Sequence, residues 1–411
     1  MPEPGAVEPA RLDWRFKGAP ARAEGLTAAE LGALGLDLAE MMMPVALLRD
    51  AALGHNITAI QAFADSIGAR LCPHGKTSMS PELFAMQLDA GAWGITAATA
   101  HHVRVYRRCG IGRVLLANQL AAKADLHWIA AELAADPEFD FYCLVDSRAG
   151  VDFLASASAA RPIQVLVETG LEGGRTGCRT LEHALDVARY ASMRLALRGV
   201  ETFEGVRQSR DGARAEAAAM IALAAETAEA MAAEGLLADG PLLLSAGGSA
   251  FLDLCAAELP AAIGGREAEK VIRPGCYVTH DHGLYEGLIR PGVAGVPELL
   301  PAIEVWGAVQ SLPEPGLAIV GIGKRDVSND AGLPRPVRIR RAGGGATCAS
   351  GLEVIALWDQ HTSLACPAGA LAVGDLVGFG ISHPCATFDR WRALFTADEA
   401  DRITGFVTTI F

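Results

Sequence analysis

Lysine is scarce in this 411-residue chain. Five occur, Lys17, Lys76, Lys123, Lys270 and Lys324, so any lysine chemistry must come from that short list. Basic charge is outnumbered too: 35 lysines and arginines face 48 acidic residues, for a formal net charge of −13. Such a balance argues against non-specific nucleic-acid binding, which needs clustered cations. The nine cysteines are odd in number and scattered singly, with no C-x-x-C pair. That excludes a disulfide framework and points to reduced thiols, as in a cytoplasm. Charge-free apolar runs of membrane-spanning length are missing. The most hydrophobic helical stretch, 217–237, carries Glu226, Glu229 and Glu234. The first twenty residues are Pro-rich and mildly acidic, unlike a signal or transit peptide. These absences predict a soluble cytoplasmic protein with neither a nucleic-acid nor a membrane partner.

What is present is an ordinary globular composition, 51% hydrophobic and 20% charged, with enough chain for two or three domains. From residue 44 short apolar runs alternate with longer amphipathic stretches. The runs are 44–48, 69–73, 93–97, 113–117, 139–145, 163–168, 195–203 and 241–246. Helical spacing fills the gaps, as in 81–89, 121–135, 181–190 and 213–234. Eight strand-then-helix units within about 210 residues predict a (β/α)8 barrel, with a doubly wound open sheet as its rival. After residue 285 the rhythm stops, and short β-prone runs separated by Gly and Pro predict a β domain. The predicted domains are therefore a barrel over 40–285 and a β domain over 286–411. The first 39 residues are expected to pack on the β domain.

Active sites of such barrels lie at the C-terminal ends of the strands. There the chain places Cys72-Pro73-His74-Gly75-Lys76-Thr77, Glu168-Thr169-Gly170, Glu201-Thr202-Phe203-Glu204 and Ser245-Ala246-Gly247-Gly248-Ser249. Gly247-Gly248-Ser249 reads either as a phosphate cradle of backbone N–H groups or as a plain Gly-rich turn. Gly75-Lys76-Thr77 imitates the tail of a nucleotide-binding loop, but position 70 is Arg70 where that motif needs glycine. A lysine at a barrel mouth facing a phosphate site is instead what a pyridoxal phosphate Schiff base requires.

Pro73-His74-Gly75-Lys76-Thr77 resembles the P-H-x-K-T segment of the fold-type III pyridoxal phosphate enzymes, within their D-threonine aldolase and D-serine dehydratase group. Four further segments match in order: 173–177, Gly247-Gly248-Ser249, Arg273-Pro274-Gly275-Cys276-Tyr277, and Ser382-His383-Pro384-Cys385 continuing to Asp389. The resemblance covers residues 40–395 and implies an alanine-racemase-like (β/α)8 barrel with a C-terminal β domain. It also implies active sites at the interface of a head-to-tail homodimer. On the matching positions, Lys76 would carry the cofactor covalently and Arg175 would face its phenolic oxygen. Gly247, Gly248, Ser249 and Tyr277 would hold its phosphate, and His383 and Cys385 would bind zinc. Glu201 departs from relatives that carry Tyr or Gln there. Its carboxylate would pair with the pyridine nitrogen, unless it serves an ordinary salt bridge at the barrel mouth. In a strand, both side chains of His-x-Cys point to one face and so can reach one ion. His361 is read as a surface histidine that could also lie near the ion.

The resemblance implies a pyridoxal phosphate- and zinc-dependent dehydratase turning D-serine, or a related D-3-hydroxy amino acid, into a 2-oxo acid and ammonia. Retro-aldol cleavage, as by D-threonine aldolase, is the alternative; there the second metal ligand is Asp, so Cys385 favours elimination. Racemisation needs a tyrosine from the β domain, and no tyrosine lies beyond Tyr285. A non-catalytic cofactor carrier would have no use for a β domain with a metal pair. Serine, threonine, phenylserine and 3-hydroxyaspartate all fit the core chemistry.

Overall fold

The computed structural model describes residues 9–157, 159–207 and 211–411. Two sheets organise the chain. The first is a parallel barrel of β2 (Ala69–Leu71), β3 (Ile95–Ala97), β4 (Arg113–Leu116), β5 (Asp140–Val145), β6 (Gln164–Thr169), β7 (Ala196–Thr202), β8 (Leu242–Ser245) and β10 (Arg266–Ile272), with the short β9 (Ala262–Ile263) hairpinned onto β10. The last strand pairs with the first, β10 with β2, in parallel register. The seam between β2 and β3 is closed by Trp93 N–H to Leu71 O and Thr96 N–H to Pro73 O, each 2.7 Å. Cys72, Leu115, Tyr142, Leu144, Leu166, Leu243 and Val271 fill the interior, making a packed plug rather than a pore.

The seven apolar runs from 69 to 246 are all barrel strands, but the run at 44–48 is not. β1 (Val45–Arg49) lies in the second sheet, between β11 (Ile303–Glu314), to which it is antiparallel, and β18 (Ala393–Ala397), to which it is parallel. A fully buried five-residue strand reads the same in any sheet. The eighth barrel strand is Arg266–Ile272, whose first half is charged and exposed and so hides the apolar signal.

The second sheet runs β14-β13-β17-β11-β1-β18-β19, with β13 at Arg335–Arg340, β14 at Ala346–Cys348, β17 at Leu376–Gly380 and β19 at Ile403–Thr408. β12 (Leu317–Val320), β15 (Glu353–Leu357) and β16 (Thr362–Ala365) extend it from β11. Leu12, Leu31, Leu36, Leu38 and Met41 of the N-terminal segment bury against Val45, Leu47, Trp306, Phe395 and Phe406. Arg49 is buried at the end of β1, where Glu304 and Asp401 accept hydrogen bonds from its guanidinium. Among the described residues no helix is long and apolar enough to cross a membrane.

Candidate active site

Lys76 sits in a one-turn helix, Gly75–Thr77, directly beyond β2. A side chain at position 75 is excluded, since its Cβ would stand 2.5 Å from the Tyr106 hydroxyl and 2.8 Å from Ile95. That close approach fixes the turn which presents Lys76 at the barrel mouth. There it lines a cavity of about 180 Å³ together with His74, Asn118, Glu168, Arg175, Glu201, Phe203 and Arg273. A wider cleft of about 460 Å³ opens at the opposite end, at the starts of β4 to β7. Its Arg113–Asp140 and Gln164–Asp140 contacts tie strand beginnings together, which is the stabilising rim of such a barrel.

Strand register sets the carboxylates of the cavity side by side. Glu168 on β6 is level with Glu201 on β7, and Glu201 is level with Ser245 on β8. Glu168 accepts hydrogen bonds from Gln119 and from Thr176 Oγ1, and burial pushes it above the ordinary carboxylate range. Glu201 is fully buried and its Oε1 is gripped by Arg273, whose guanidinium also reaches Ser245 Oγ and Thr202 O. Burial still wins, with Glu168 and Glu204 adding negative charge nearby, and Glu201 is pushed up to about 8. One guanidinium, shared among three acceptors, does not offset complete loss of water. The other carboxylate oxygen, Oε2, is buried without a hydrogen-bond partner among the described residues. Burial drives His74 well below the usual histidine range, so it is neutral, and its Nδ1 is likewise buried and unpartnered. The Arg175 guanidinium lies 4.7 Å from the Phe203 ring centre, which props it over the cavity.

The Gly-rich turn after β8 holds an anion. The N–H groups of Gly247 and Gly248 donate to Glu204 Oε2 and Oε1 at 3.0 and 2.7 Å. Gly247 has φ +93°, and a Cβ on Gly248 would stand 2.8 Å from Phe203. Ser249 Oγ accepts from Gly275 N–H at 3.4 Å. Tyr277 is not brought to the cavity: it is buried in the core, and its hydroxyl accepts a hydrogen bond from Gln87 at 2.9 Å.

His383 and Cys385 come together with a third residue, Cys276. Their donor atoms all lie within 4.8 Å of one another. Cys385 stands on the short helix Pro384–Phe388, with His383 capping it, and Cys276 opens a turn that follows Gly275. The Cys276 thiol and His383 hold the Cys385 thiol well below its usual value, while Cys276 is pushed up. Cys385 and Asp330 raise His383 to about 9. Asp330 accepts from His383 Nδ1 at 2.6 Å, which leaves Nε2 as the free ligand nitrogen. Cys385 Sγ also donates to Thr77 Oγ1 at 3.4 Å, so the sulfur cluster touches the residue next to Lys76. His361 lies on an exposed turn and is not one of the three.

The strand-end reading thus brings Lys76, Arg175 and Glu201 into one cavity and His383 and Cys385 into one cluster. It leaves Arg273, Cys276 and Glu204 unassigned, although Glu204 stands in one of its strand-end segments and Arg273 and Cys276 in a segment that matches the family. Asp330 carries no local signal, lying 53 residues before its partner.

A profile of the family described as "Putative serine dehydratase domain" matches residues 302–397. The 3-hydroxy-D-aspartate aldolase of Paracoccus denitrificans (strain Pd 1222) is 26% identical over 307 residues, 73% of this chain and 76% of that one. The D-threo-3-hydroxyaspartate dehydratase of Delftia sp. (strain HT23) is 27% identical over 388 residues, covering 89% and 96%. The chain is similar to members of the D-threonine aldolase and D-serine dehydratase group of the fold-type III pyridoxal phosphate enzymes. The D-threonine aldolase of Filomicrobium marinum superposes with a TM-score of 0.77 at 22% identity, over 91% of this chain and 97% of that one. The group's architecture, an alanine-racemase-like barrel with a C-terminal β domain, is the one described above. A cysteine-to-alanine mutant of a D-threo-3-hydroxyaspartate dehydratase has been solved in a metal-free form.

The residues of this chain fit the group's cofactor. The cavity has one lysine and, on Glu201, a carboxylate oxygen with no partner among the described residues; behind its Phe203 wall lies the glycine turn, whose amides clasp the two oxygens of Glu204. Paired backbone N–H groups of this kind suit a phosphate as well as a carboxylate.

Proposed function

We propose that this chain is a pyridoxal phosphate- and zinc-dependent dehydratase that converts a D-3-hydroxy amino acid, D-serine or a relative of it, to a 2-oxo acid and ammonia. The observation that carries the reading is the hydrogen bond from Cys385 to Thr77. It ties the His383–Cys385 pair to the turn that presents Lys76, so a proton acceptor and a metal pair serve one substrate.

Bound pyridoxal phosphate would supply the electron sink that makes the substrate's Cα–H acidic. Lys76 would hold it, and its Nζ would take the α-proton of the substrate. Arg175, propped by Phe203, would face the phenolic oxygen. Gly247, Gly248 and Ser249 would hold the phosphate once Glu204 moves aside. Glu201, kept protonated at neutral pH by its burial, has a proton to share with the pyridine nitrogen through Oε2. A divalent ion on His383 and Cys385 would supply Lewis acidity to the departing β-hydroxyl. Loss of the α-hydrogen and the β-hydroxyl amounts to loss of water. It leaves an enamine that tautomerises and hydrolyses to the 2-oxo acid and ammonia. A homodimer that closes the cavity mouth over the exposed Lys76 belongs to the same reading.

Retro-aldol cleavage is favoured by the similarity to a 3-hydroxy-D-aspartate aldolase and to a D-threonine aldolase. A panel of D-serine, D-threonine, D-phenylserine and D-3-hydroxyaspartate, assayed separately for ammonia and for glycine, tests both. Ammonia with a 2-oxo acid supports the dehydratase; glycine with an aldehyde or glyoxylate overturns it in favour of the aldolase.

A further inference from the structure

Cys276 is buried, with 4% of its surface exposed, and its sulfur lies 3.5 Å from that of Cys385. A disulfide would need about 2.05 Å, so the two are separate thiols. Two thiolates bound to one tetrahedral zinc, each about 2.3 Å from it, stand about 3.8 Å apart. The observed separation is close to that edge. The third corner, His383, completes a triangle in which no two donors are more than 4.8 Å apart. Cys276 is held there by its own segment. Gly275 packs so tightly that a Cβ would sit 2.5 Å from Thr77 Oγ1 and 2.8 Å from the His74 side chain. Two residues earlier the same segment places Arg273 on Glu201.

We propose that Cys276 is a third protein ligand of the metal site, making a two-cysteine, one-histidine centre for a thiophilic divalent cation. The inference rests on the reading of His383 and Cys385 as metal ligands and adds two things to it. Three protein donors leave one tetrahedral position for the substrate oxygen, the ligand count of a catalytic rather than a structural zinc. Two thiolates also set the metal preference. Soft sulfur ligands select zinc and cobalt, whereas manganese and magnesium favour oxygen donors.

The test uses the full-length holoenzyme, stripped of metal by a chelator and reloaded with one equivalent of zinc. X-ray absorption at the zinc edge counts sulfur neighbours, and chelator competition gives the affinity. The expected result is two sulfurs at about 2.3 Å in the wild type and one in Cys276→Ser, with affinity lowered at least about tenfold. Cys276→Asp, which keeps an anionic donor, should regain part of that affinity with a single sulfur. Manganese should not displace zinc from the wild type. One sulfur in the wild type, with Cys276→Ser binding zinc equally well, would overturn the third ligand while leaving His383 and Cys385 in place. Failure of the folded wild type to retain zinc would overturn both readings.

Discussion

In the proposed function the Gly247 and Gly248 amides receive the cofactor phosphate; Glu204 occupies both, so removing its carboxylate should tighten cofactor binding. Its two oxygens accept from Gly247 and Gly248 at 3.0 and 2.7 Å, and the side chain is buried. Hydrogen bonds to a charged group are worth roughly 1.5–3 kcal/mol each in net terms. A phosphate arriving at the turn must break both, and it brings its own negative charge to the carboxylate it displaces. In Glu204→Ala that competition disappears, and the two freed amides are left wanting an acceptor. Recovering the equivalent of a single bond, roughly 1.5–3 kcal/mol, corresponds to a ten- to hundredfold lower Kd for pyridoxal phosphate. Glu204→Gln should fall between, because its amide nitrogen cannot accept the second N–H. The assay is absorbance titration of resolved apoprotein at fixed pH, with circular dichroism to show that each variant is folded. The apoprotein variant should also melt at a lower temperature than wild type, since it has lost the same two bonds. A Kd unchanged or weakened in a folded Glu204→Ala would refute the reasoning, showing that the turn does not receive the phosphate or that Glu204 assists it.

Borohydride reduction of the holoenzyme, followed by peptide mapping, should attach the cofactor to Lys76; attachment to Lys123 or Lys324 would displace the assignment. Glu201→Gln should keep the cofactor but slow deuterium exchange at Cα by about tenfold or more, the scale of general acid catalysis; unchanged exchange would leave Glu201 a structural role. The same substitution should alter the pH dependence of apoprotein stability. Glu201 is pushed up to about 8 in the folded chain, against an ordinary value of 4.5, so the folded state holds its proton more tightly. Its contribution to stability is fully present below about 4.5 and is lost as pH rises towards 8, by up to about 1.4 kcal/mol per pH unit. Denaturant melts of Glu201→Gln should lack that decline. Chelator-treated enzyme should still exchange the α-proton while 2-oxo acid production drops about a hundredfold or more, several kcal/mol of leaving-group assistance. Full turnover without metal would remove the ion from the mechanism. Asp330→Ala should weaken zinc binding about 10–100-fold while His383 remains in place, read by chelator competition.

Much of the barrel was legible because parallel strands buried on both faces read as continuous apolar runs, and seven of these fell where strands lie. Helix starts and stops were legible for the same local reasons: Pro81–Asp89 begins with Ser80 as its cap and Pro81 in its first turn. What escaped was pairing. The apolar pattern of 44–48 says that a strand is buried but not in which sheet, and the half-charged Arg266–Ile272 conceals the strand that closes the barrel. The site divides in the same way. Residues at strand ends were found from position and residue type. The direction of a side chain was not: Tyr277 turns into the core towards Gln87, and Arg273 turns out to Glu201. The approach of Cys276 to Cys385 spans 109 positions and depends on how the two domains meet.

The place of β1 has a consequence for the chain as it is made. This strand is among the first fifty residues, yet it pairs with β11 and β18, and β18 ends only at Ala397. At about 5–20 residues per second, ribosomal synthesis reaches β18 roughly 20–70 s after β1 has been made. Throughout that interval Val45, Ala46, Leu47 and Leu48 have no strand on the β18 side, while the barrel can fold behind them. A nascent chain halted before residue 393 would therefore carry an open apolar edge, a site for chaperones or for pairing with another unfinished copy. Full-length release, rather than barrel formation, is the moment at which this protein becomes safe from its own first strand.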